Sequence, residues 1–168
     1  MGLGLGPEER DSLGGSVSIF DAPVYPAPPP PQRPPAPPRI AYVPGVWDIL
    51  HQGHLSILWR AKALCDILIV GVVSDAGCHA YKGLMPTENL ELRIRHLERL
   101  RWIDAVVPQA TTDPTANLER FRPDILVHGD DWTKLREGAE TLERLGIRWV
   151  SLSYTPEISS TMLRERTA

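Results

Sequence analysis

The fold of this chain is decided by residues 40–54, which read IAYVPGVWDILHQGH. The apolar run at residues 40–44 predicts a β-strand. Residues 53–64 carry apolar side chains near the helical period, so this segment predicts an α-helix. A strand that leads through a short loop into a helix is the first half of a βαβ unit. The loop and the helix start hold two histidines, His51 and His54, three residues apart.

The alternation of strands and helices continues along the rest of the chain. Ile67–Val73 is a continuous apolar run, typical of a strand buried on both faces. Further strands are predicted at residues 105–107, 125–127 and 149–152, and helical segments at residues 89–101, 118–121, 137–145 and 159–166. The pattern predicts an α/β fold, a doubly wound parallel sheet of about five strands in three αβα layers. Such sheets bind ligands beyond the carboxyl ends of their strands, so the first loop is the leading site candidate.

Composition limits the classes of protein to which this chain can belong. The chain has 168 residues, 42% hydrophobic and 23% charged, which suits one globular domain. Its net charge of -3 disfavours non-specific nucleic-acid binding, which requires a basic surface. No apolar run approaches the roughly 20 residues that span a bilayer, and the start lacks the pattern of a signal peptide. We therefore expect a cytoplasmic location, no membrane contact, and two reduced thiols at Cys65 and Cys78.

Proline dominates residues 22–39, where it removes amide donors and favours the polyproline II conformation. Residues 1–39 are predicted to be a disordered lead with a semi-rigid spacer, and residues 40–168 the folded domain. A solvated tail is favoured over docking to a proline-binding partner, which remains the alternative.

The two histidines suit a phosphate site. Amides and the positive dipole end at a helix N-terminus attract anions, and imidazole donors can follow charge that develops during phosphoryl transfer. Gly53 between them lets a ligand approach the backbone closely. Two alternatives are a metal pair, disfavoured because no third ligand is near, and ordinary helix capping with one histidine buried.

The run GVWDILHQGH at residues 45–54 resembles the HxGH signature of the class I nucleotidyltransferase superfamily, whose members share a Rossmann-like α/β fold. The run ISSTMLR at residues 158–164 resembles the second motif of that superfamily, in which hydroxyls and amides at another helix start bind phosphates. Ser160 or Thr161 would also suit an ordinary helix N-cap. The presence of both motifs in order favours phosphate binding.

Three segments between these motifs resemble cytidylyltransferases, particularly those for glycerol 3-phosphate and phosphoethanolamine. They are VGVVSD at residues 70–75 followed by YKG at 81–83, ELR at 91–93 leading to RWID at 101–104, and VHGDDW at 127–132. The resemblance covers about residues 40–166. It implies transfer of CMP from CTP to a small phosphorylated alcohol with release of pyrophosphate. It also implies a homodimer, and Mg²⁺ held mainly by the CTP phosphates with no side-chain metal ligand.

The resemblance assigns roles to single residues. His51 and His54 would contact the CTP phosphates, and Lys82, on a mobile loop, would bridge the two reactants. Arg93 would offer a planar fork to phosphate oxygens. The alternatives are a solvated lysine and an exposed helix charge. Asp48 would cap the following turn or orient a histidine.

The remaining candidates are assigned as groups. The expected nucleotide-binding residues are Gly45, Val46, Trp47, Asp48, Gly53, Arg101, Gly129, Asp130, Ile158, Ser159, Ser160 and Thr161. The nucleotide neighbourhood and a subunit contact are the two alternatives for Arg101, Asp104, Asp130, Asp131 and Trp132. Because the attacking phosphate oxygen is already ionised, positioning and charge neutralisation are expected to dominate catalysis.

One departure from the pattern concerns the acceptor. Tyr154 stands where the glycerol 3-phosphate and phosphoethanolamine enzymes place an arginine. The segment around it resembles the cytidylyltransferase-like domains attached to phosphoenolpyruvate mutases, which implies an acceptor such as 2-hydroxyethylphosphonate. Asp131, Trp132 and Tyr154 are the candidate acceptor-binding residues. Alternative functions are an adenylyltransferase of the same superfamily and a non-catalytic nucleotide-binding scaffold module.

Overall fold

The computed structural model describes residues 37–129 and 138–153, which form a parallel sheet with helices on both faces. The strands are β1 (Ile40–Gly45), β2 (Ile67–Val73), β3 (Ala105–Gln109), β4 (Ile125–Gly129) and β5 (Arg148–Leu152). The helices are α1 (Gln52–Lys62), α2 (Asp75–Lys82), α3 (Leu90–Glu98), α4 (Thr115–Phe121) and α5 (Ala139–Leu145).

The strand order across the sheet is β3-β2-β1-β4-β5, and every neighbouring pair is parallel. The chain winds outward from β1 to β3, crosses back to β4 beside β1, and then winds outward again to β5. The winding therefore reverses between β1 and β4, and open α/β sheets of this kind bind their ligands in a crevice at the carboxyl ends of those two strands. This topology confirms the predicted doubly wound α/β fold of about five strands.

The alternation of side chains along the strands divides the core into two layers. In β1, Ala41 and Val43 belong to one apolar cluster, whereas Tyr42 belongs to the other. Helices α1 and α3 contribute their apolar faces to the first cluster, and α4 and α5 contribute theirs to the second. The three αβα layers follow directly from this division.

Helix α2 was not predicted, although the sequence carries its signals. Ser74 caps it by accepting a hydrogen bond from the Gly77 amide at 3.0 Å, and Gly83 ends it with a left-handed φ of 71°. Lys82 is therefore the last residue of a helix, and its placement on a loop was wrong. The helix is only eight residues long and contains a glycine, which weakens its apolar periodicity.

A buried polar network crosses the second core layer. The Tyr42 hydroxyl donates to Gln109 Oε1 at 2.6 Å and accepts from Asn117 Nδ2 at 2.8 Å. Burial raises the pKa of Tyr42, so the phenol stays protonated and remains a donor. Gln109 in turn donates to the Thr111 carbonyl at 2.8 Å, which ties the loop after β3 to the central strand.

Replacing Gly71 with alanine should lower the free energy of unfolding by about 1–3 kcal/mol, because the new Cβ would overlap the Tyr42 hydroxyl. The penalty should be smaller, though not absent, in a Tyr42→Phe background, where the nearest atom, the hydroxyl oxygen, is gone but the ring Cζ at 2.5 Å remains. Urea unfolding of the four proteins of this double-mutant cycle measures the difference. Equal penalties in both backgrounds would contradict this reason for the glycine.

Candidate active site

The loop between β1 and α1 adopts a strained backbone at the crevice. Trp47 and Ile49 have φ angles of 58° and 48°, in the left-handed region that side-chain-bearing residues rarely adopt. Each such residue costs on the order of 1–2 kcal/mol. The conformation persists only if surrounding contacts determine it, and such strain is concentrated at functional sites.

His51 is the N-cap of α1 and is buried, with 6% of its surface exposed. Its Nδ1 accepts a hydrogen bond from the Gly53 amide at 3.1 Å. Burial lowers the pKa of His51, so the neutral ring is favoured at pH 7. In the neutral ring with Nδ1 as acceptor, the proton is on Nε2, which is then a donor. The capping alternative therefore describes His51 correctly, and this role leaves a donor nitrogen in the ring.

His54 lies on the first turn of α1, stacked on His51. The two imidazole centroids are 3.8 Å apart with an interplanar angle of 24°. The Trp47 indole meets His54 from another direction, at 5.2 Å and 69°. The first turn of α1 contains no acidic residue, so the positive end of the helix dipole is not offset there. This arrangement of donors and dipole can receive an anion.

Arg93 is not placed as predicted. It lies on α3 with 0% of its surface exposed, so it is neither a phosphate-facing fork nor an exposed helix charge. Its guanidinium donates to the carbonyls of Val46, of Val73 at 2.8 Å and of Glu88 at 2.9 Å, and it pairs with the Asp75 carboxylate. Four of its five N–H groups are thus directed at the protein.

Asp48 is also buried, at 4% exposure. Its two carboxylate oxygens accept from the backbone amides of Thr87 at 3.0 Å and Glu88 at 2.9 Å. The carboxylate thus ties the histidine loop to the segment before α3. Sequence reasoning missed Asp75, Thr87 and Glu88, the partners of Arg93 and Asp48. The sequence signal for one of them was an acidic residue, Asp75, two positions after the end of β2.

Two other predicted residues lie near the histidine loop. At Gly45, an added Cβ would lie 2.6 Å from Cε2 of the Trp47 indole, so the glycine makes room for this ring. The indole itself is buried at 5% exposure, which leaves no open aromatic face for a base. Gly129 ends β4, the neighbour of β1, and so lies at the same edge of the sheet.

Two predicted residues lie apart from the histidine loop. Arg101 is exposed in the turn before β3, at the amino edge of the sheet and opposite the histidines. The structure thus contradicts a nucleotide contact for Arg101 within one chain, and its alternative role at a subunit contact stays a prediction. Lys82 is exposed at the end of α2, and among the described residues no hydrogen bond or ion pair holds its ammonium group.

The other predicted site residues lie outside the described ranges. These are Asp130, Asp131, Trp132, Tyr154, Ile158, Ser159, Ser160 and Thr161. Their assignments stay predictions.

Within residues 37–129 and 138–153, no group of three or more His, Cys, Asp or Glu side chains is arranged to hold a metal ion. In the same part of the chain, no helix is long and apolar enough to cross a membrane. Cys65 and Cys78 are both buried and free. Burial raises the pKa of Cys65 to about 11, so this thiol stays protonated and unreactive at neutral pH.

A doubly wound sheet with a stacked histidine pair at the start of its first helix defines a nucleotidyltransferase-type domain. The chain belongs to the cytidylyltransferase-like family, whose model matches residues 42–166. The family predicted from the sequence is thereby confirmed.

Two curated relatives illustrate the range of the family. The chain is 34% identical over 130 residues to the bifunctional protein HldE of Rhodopseudomonas palustris (strain HaA2), covering 76% of this chain and 26% of the relative. It is 34% identical over 127 residues to the ethanolamine-phosphate cytidylyltransferase of Arabidopsis thaliana, covering 71% of this chain and 30% of the relative. The chain thus spans about a quarter to a third of the length of these relatives.

Solved structures share the fold. A lipopolysaccharide core biosynthesis protein from Thermoplasma volcanium GSS1 aligns with a TM-score of 0.60 and 26% identity, covering 72% of this chain and 99% of that chain. The pantoate-beta-alanine ligase of Francisella tularensis aligns at 0.54 and 17% identity, covering 78% and 66%, and this likeness shows the fold alone.

Replacing His51 with asparagine should flatten the pH dependence of stability. The folded pKa of His51 is lowered from 6.5, so the unfolded chain binds the proton first. Stability is therefore fully present above about pH 6.5 and is lost as the pH falls towards the folded pKa. Asparagine keeps an N-cap acceptor but does not titrate. Urea unfolding between pH 5 and 8 measures the slope, and exposed His79→Asn is the matched control. An unchanged slope in the His51 variant would contradict the assignment.

Replacing Arg93 with lysine should lower the free energy of unfolding by about 3–5 kcal/mol without nucleotide, because one ammonium cannot serve three carbonyls and a carboxylate. Arg95→Lys, on the exposed face of the same helix, should change it by less than about 0.5 kcal/mol. Urea unfolding measures both variants. Unchanged stability with a raised KM for CTP would instead restore the phosphate-contact role.

Proposed function

We propose that this domain transfers CMP from CTP to a small phosphorylated or phosphonylated alcohol and releases pyrophosphate. The observation that carries the proposal is the stacked His51–His54 pair on the first turn of α1. The pair lies at the point where the winding of the sheet reverses, in a chain of the cytidylyltransferase-like family. Open α/β sheets bind their ligands at this position.

The proposed reaction places an ionised oxygen of the acceptor against the α-phosphorus of CTP. The new P–O bond forms as the bond between the α-phosphorus and the bridging oxygen breaks, and pyrophosphate leaves with the electron pair. A general base is not needed, because the nucleophile is already an anion. The protein must instead align two anions and offset the charge on the reacting phosphoryl group.

Residues at and near the start of α1 supply hydrogen-bond donors that can offset the charge of the reacting phosphoryl group. Neutral His51 keeps a protonated Nε2, and His54 adds a second imidazole on the positive end of α1. Lys82, exposed on the far end of α2, is proposed to bring an ammonium group to the two phosphates. Mg²⁺, when bound, would offset triphosphate charge and would be held mainly by oxygens of CTP.

Two observations support the class of acceptor. One relative is named for ethanolamine phosphate, and this chain shares 34% of its residues with it over the aligned region. Tyr154 in place of an arginine favours a phosphonate such as 2-hydroxyethylphosphonate. Homodimer formation, a cytoplasmic location and a partner for the proline-rich segment stay predictions.

A pyrophosphate-release assay tests the proposal. CTP, ATP, GTP and UTP are each combined with glycerol 3-phosphate, phosphoethanolamine, 2-hydroxyethylphosphonate and a sugar phosphate. The sugar phosphate is included because the Thermoplasma volcanium relative belongs to lipopolysaccharide core biosynthesis. CTP should support turnover well above the other nucleotides. Turnover with ATP alone would establish the adenylyltransferase alternative, and nucleotide binding without turnover would establish the scaffold alternative.

Replacing His54 with alanine should lower kcat by about 100-fold or more and leave the fold intact, because a donor to the developing charge is lost. The same assay measures kcat, and circular dichroism checks the fold. His79→Ala, an exposed histidine on α2, is the control and should keep normal turnover. Near-normal turnover of the His54 variant would refute the role of this histidine.

A further inference from the structure

We propose that Trp47 is a positioning residue whose indole, anchored to β2, fixes the orientation of the His54 imidazole. The sequence assigned Trp47 to the nucleotide, but its ring is 5% exposed and lies in the core layer formed with α1 and α3. The placement of the indole against His54 is a property of the fold alone. Its kinetic consequence rests on the proposed function.

The indole is held by a hydrogen bond and by a close approach to Gly45. Its Nε1–H donates to the Gly71 carbonyl on β2 at 2.9 Å, a buried hydrogen bond between segments 24 residues apart. The same edge of the indole lies against Gly45, where a Cβ would come within 2.6 Å of Cε2, 2.8 Å of Cζ2 and 2.9 Å of Nε1. The missing side chain at Gly45 leaves room for the ring, and the hydrogen bond to the Gly71 carbonyl orients the ring in that space. Phenylalanine would fill part of this slot but has no N–H to donate.

The fixed indole then restricts His54. The His54 ring contacts two aromatic rings, His51 nearly parallel at 3.8 Å and the Trp47 indole steeply inclined at 5.2 Å. The indole distance and angle lie in the range that favours edge-to-face aromatic pairs. The stacked His51 ring and the inclined indole both restrict the tilt of the His54 imidazole. Trp47 and His51 therefore both contribute to fixing the plane of the His54 ring.

The backbone of Trp47 supports the same conclusion. Its φ of 58° is costly for a residue with a bulky side chain. The indole hydrogen bond and the burial of the ring offset this cost only in the observed conformation. A side chain that holds a strained loop residue in place at the helix that carries both histidines determines where those histidines point.

Nuclear magnetic resonance of the substrate-free protein tests the placement of the indole against His54 directly. Long-range ¹H–¹⁵N spectra of the imidazoles report the ring signals of His54. In Trp47→Phe, these signals should shift because the ring current and the orientation both change. Trp102→Phe is the matched control, since its buried indole N–H has no hydrogen-bond partner among the described residues. It should leave the His54 signals in place.

A second measurement needs no substitution and keeps the proposal testable if Trp47→Phe fails to fold. In the unaltered chain, the Trp47 indole N–H should exchange with solvent slowly, whereas that of Trp149, which is 38% exposed, should exchange quickly. Overhauser contacts should join the Trp47 and His54 rings. Fast exchange at Trp47, absent ring contacts, or unchanged His54 signals in a folded Trp47→Phe variant would each overturn the proposal.

The kinetic arm measures the same variants with CTP and the best acceptor from the assay. Trp47→Phe should lower kcat by about tenfold and change KM for CTP by less than about threefold, because orientation rather than binding is disturbed. Trp102→Phe should leave both constants unchanged. Equal losses in both variants, or a loss confined to KM in Trp47→Phe, would refute positioning. If the unaltered chain shows no turnover at all, the proposed function fails while the resonance result still decides the role of Trp47.

Discussion

The histidine site depends on the hydrogen bonds and the ion pair made by the buried guanidinium of Arg93. It joins the loop after β1 through Val46, the end of β2 through Val73, and helix α2 through Asp75. A charge with no exposed surface is costly unless it is paired and its donors are satisfied, and here carbonyls and a carboxylate supply both conditions. The carboxyl ends of two adjacent strands are therefore held at a fixed separation.

The strained histidine loop is stable because several hydrogen bonds hold it at the same time. Arg93 holds the carbonyl of Val46, Trp47 is anchored to β2, and Asp48 is bound to two amides before α3. Each tie joins the loop to a different neighbouring segment. The left-handed residues can persist under these constraints, and the first turn of α1 begins with two imidazoles already stacked. A site organised before a ligand arrives loses less entropy on binding.

Among the described residues, the groups that favour an anion lie around the histidine loop and the start of α1, and the chain as a whole has no excess of positive charge. The chain carries a net charge of -3, so no broad positive field draws anions to it. In the proposed function, attraction comes from amides, a helix dipole and imidazoles confined to one edge of the sheet. Burial lowers the pKa of His51, so the neutral ring is favoured at pH 7, which suits a residue that caps a helix through an unprotonated Nδ1. Such a site selects by geometry and short-range hydrogen bonds, which suits recognition of small phosphate groups.

The local sequence pattern was enough to predict the strands of the sheet and the histidine pair. Ile67–Val73 was predicted with its observed bounds because a buried parallel strand is a continuous apolar run, and HxGH is contiguous in sequence. Short α2 was missed because eight residues carry too little periodicity.

The partners of Arg93 and Asp48 were decided only by tertiary structure. Exposed and buried arginines look alike in a helical pattern, and the contacts from Asp48 span 39 and 40 residues. Likewise, Arg101 and the histidines lie at opposite edges because α3 returns the chain to the amino end of the sheet, a consequence of topology rather than of any motif.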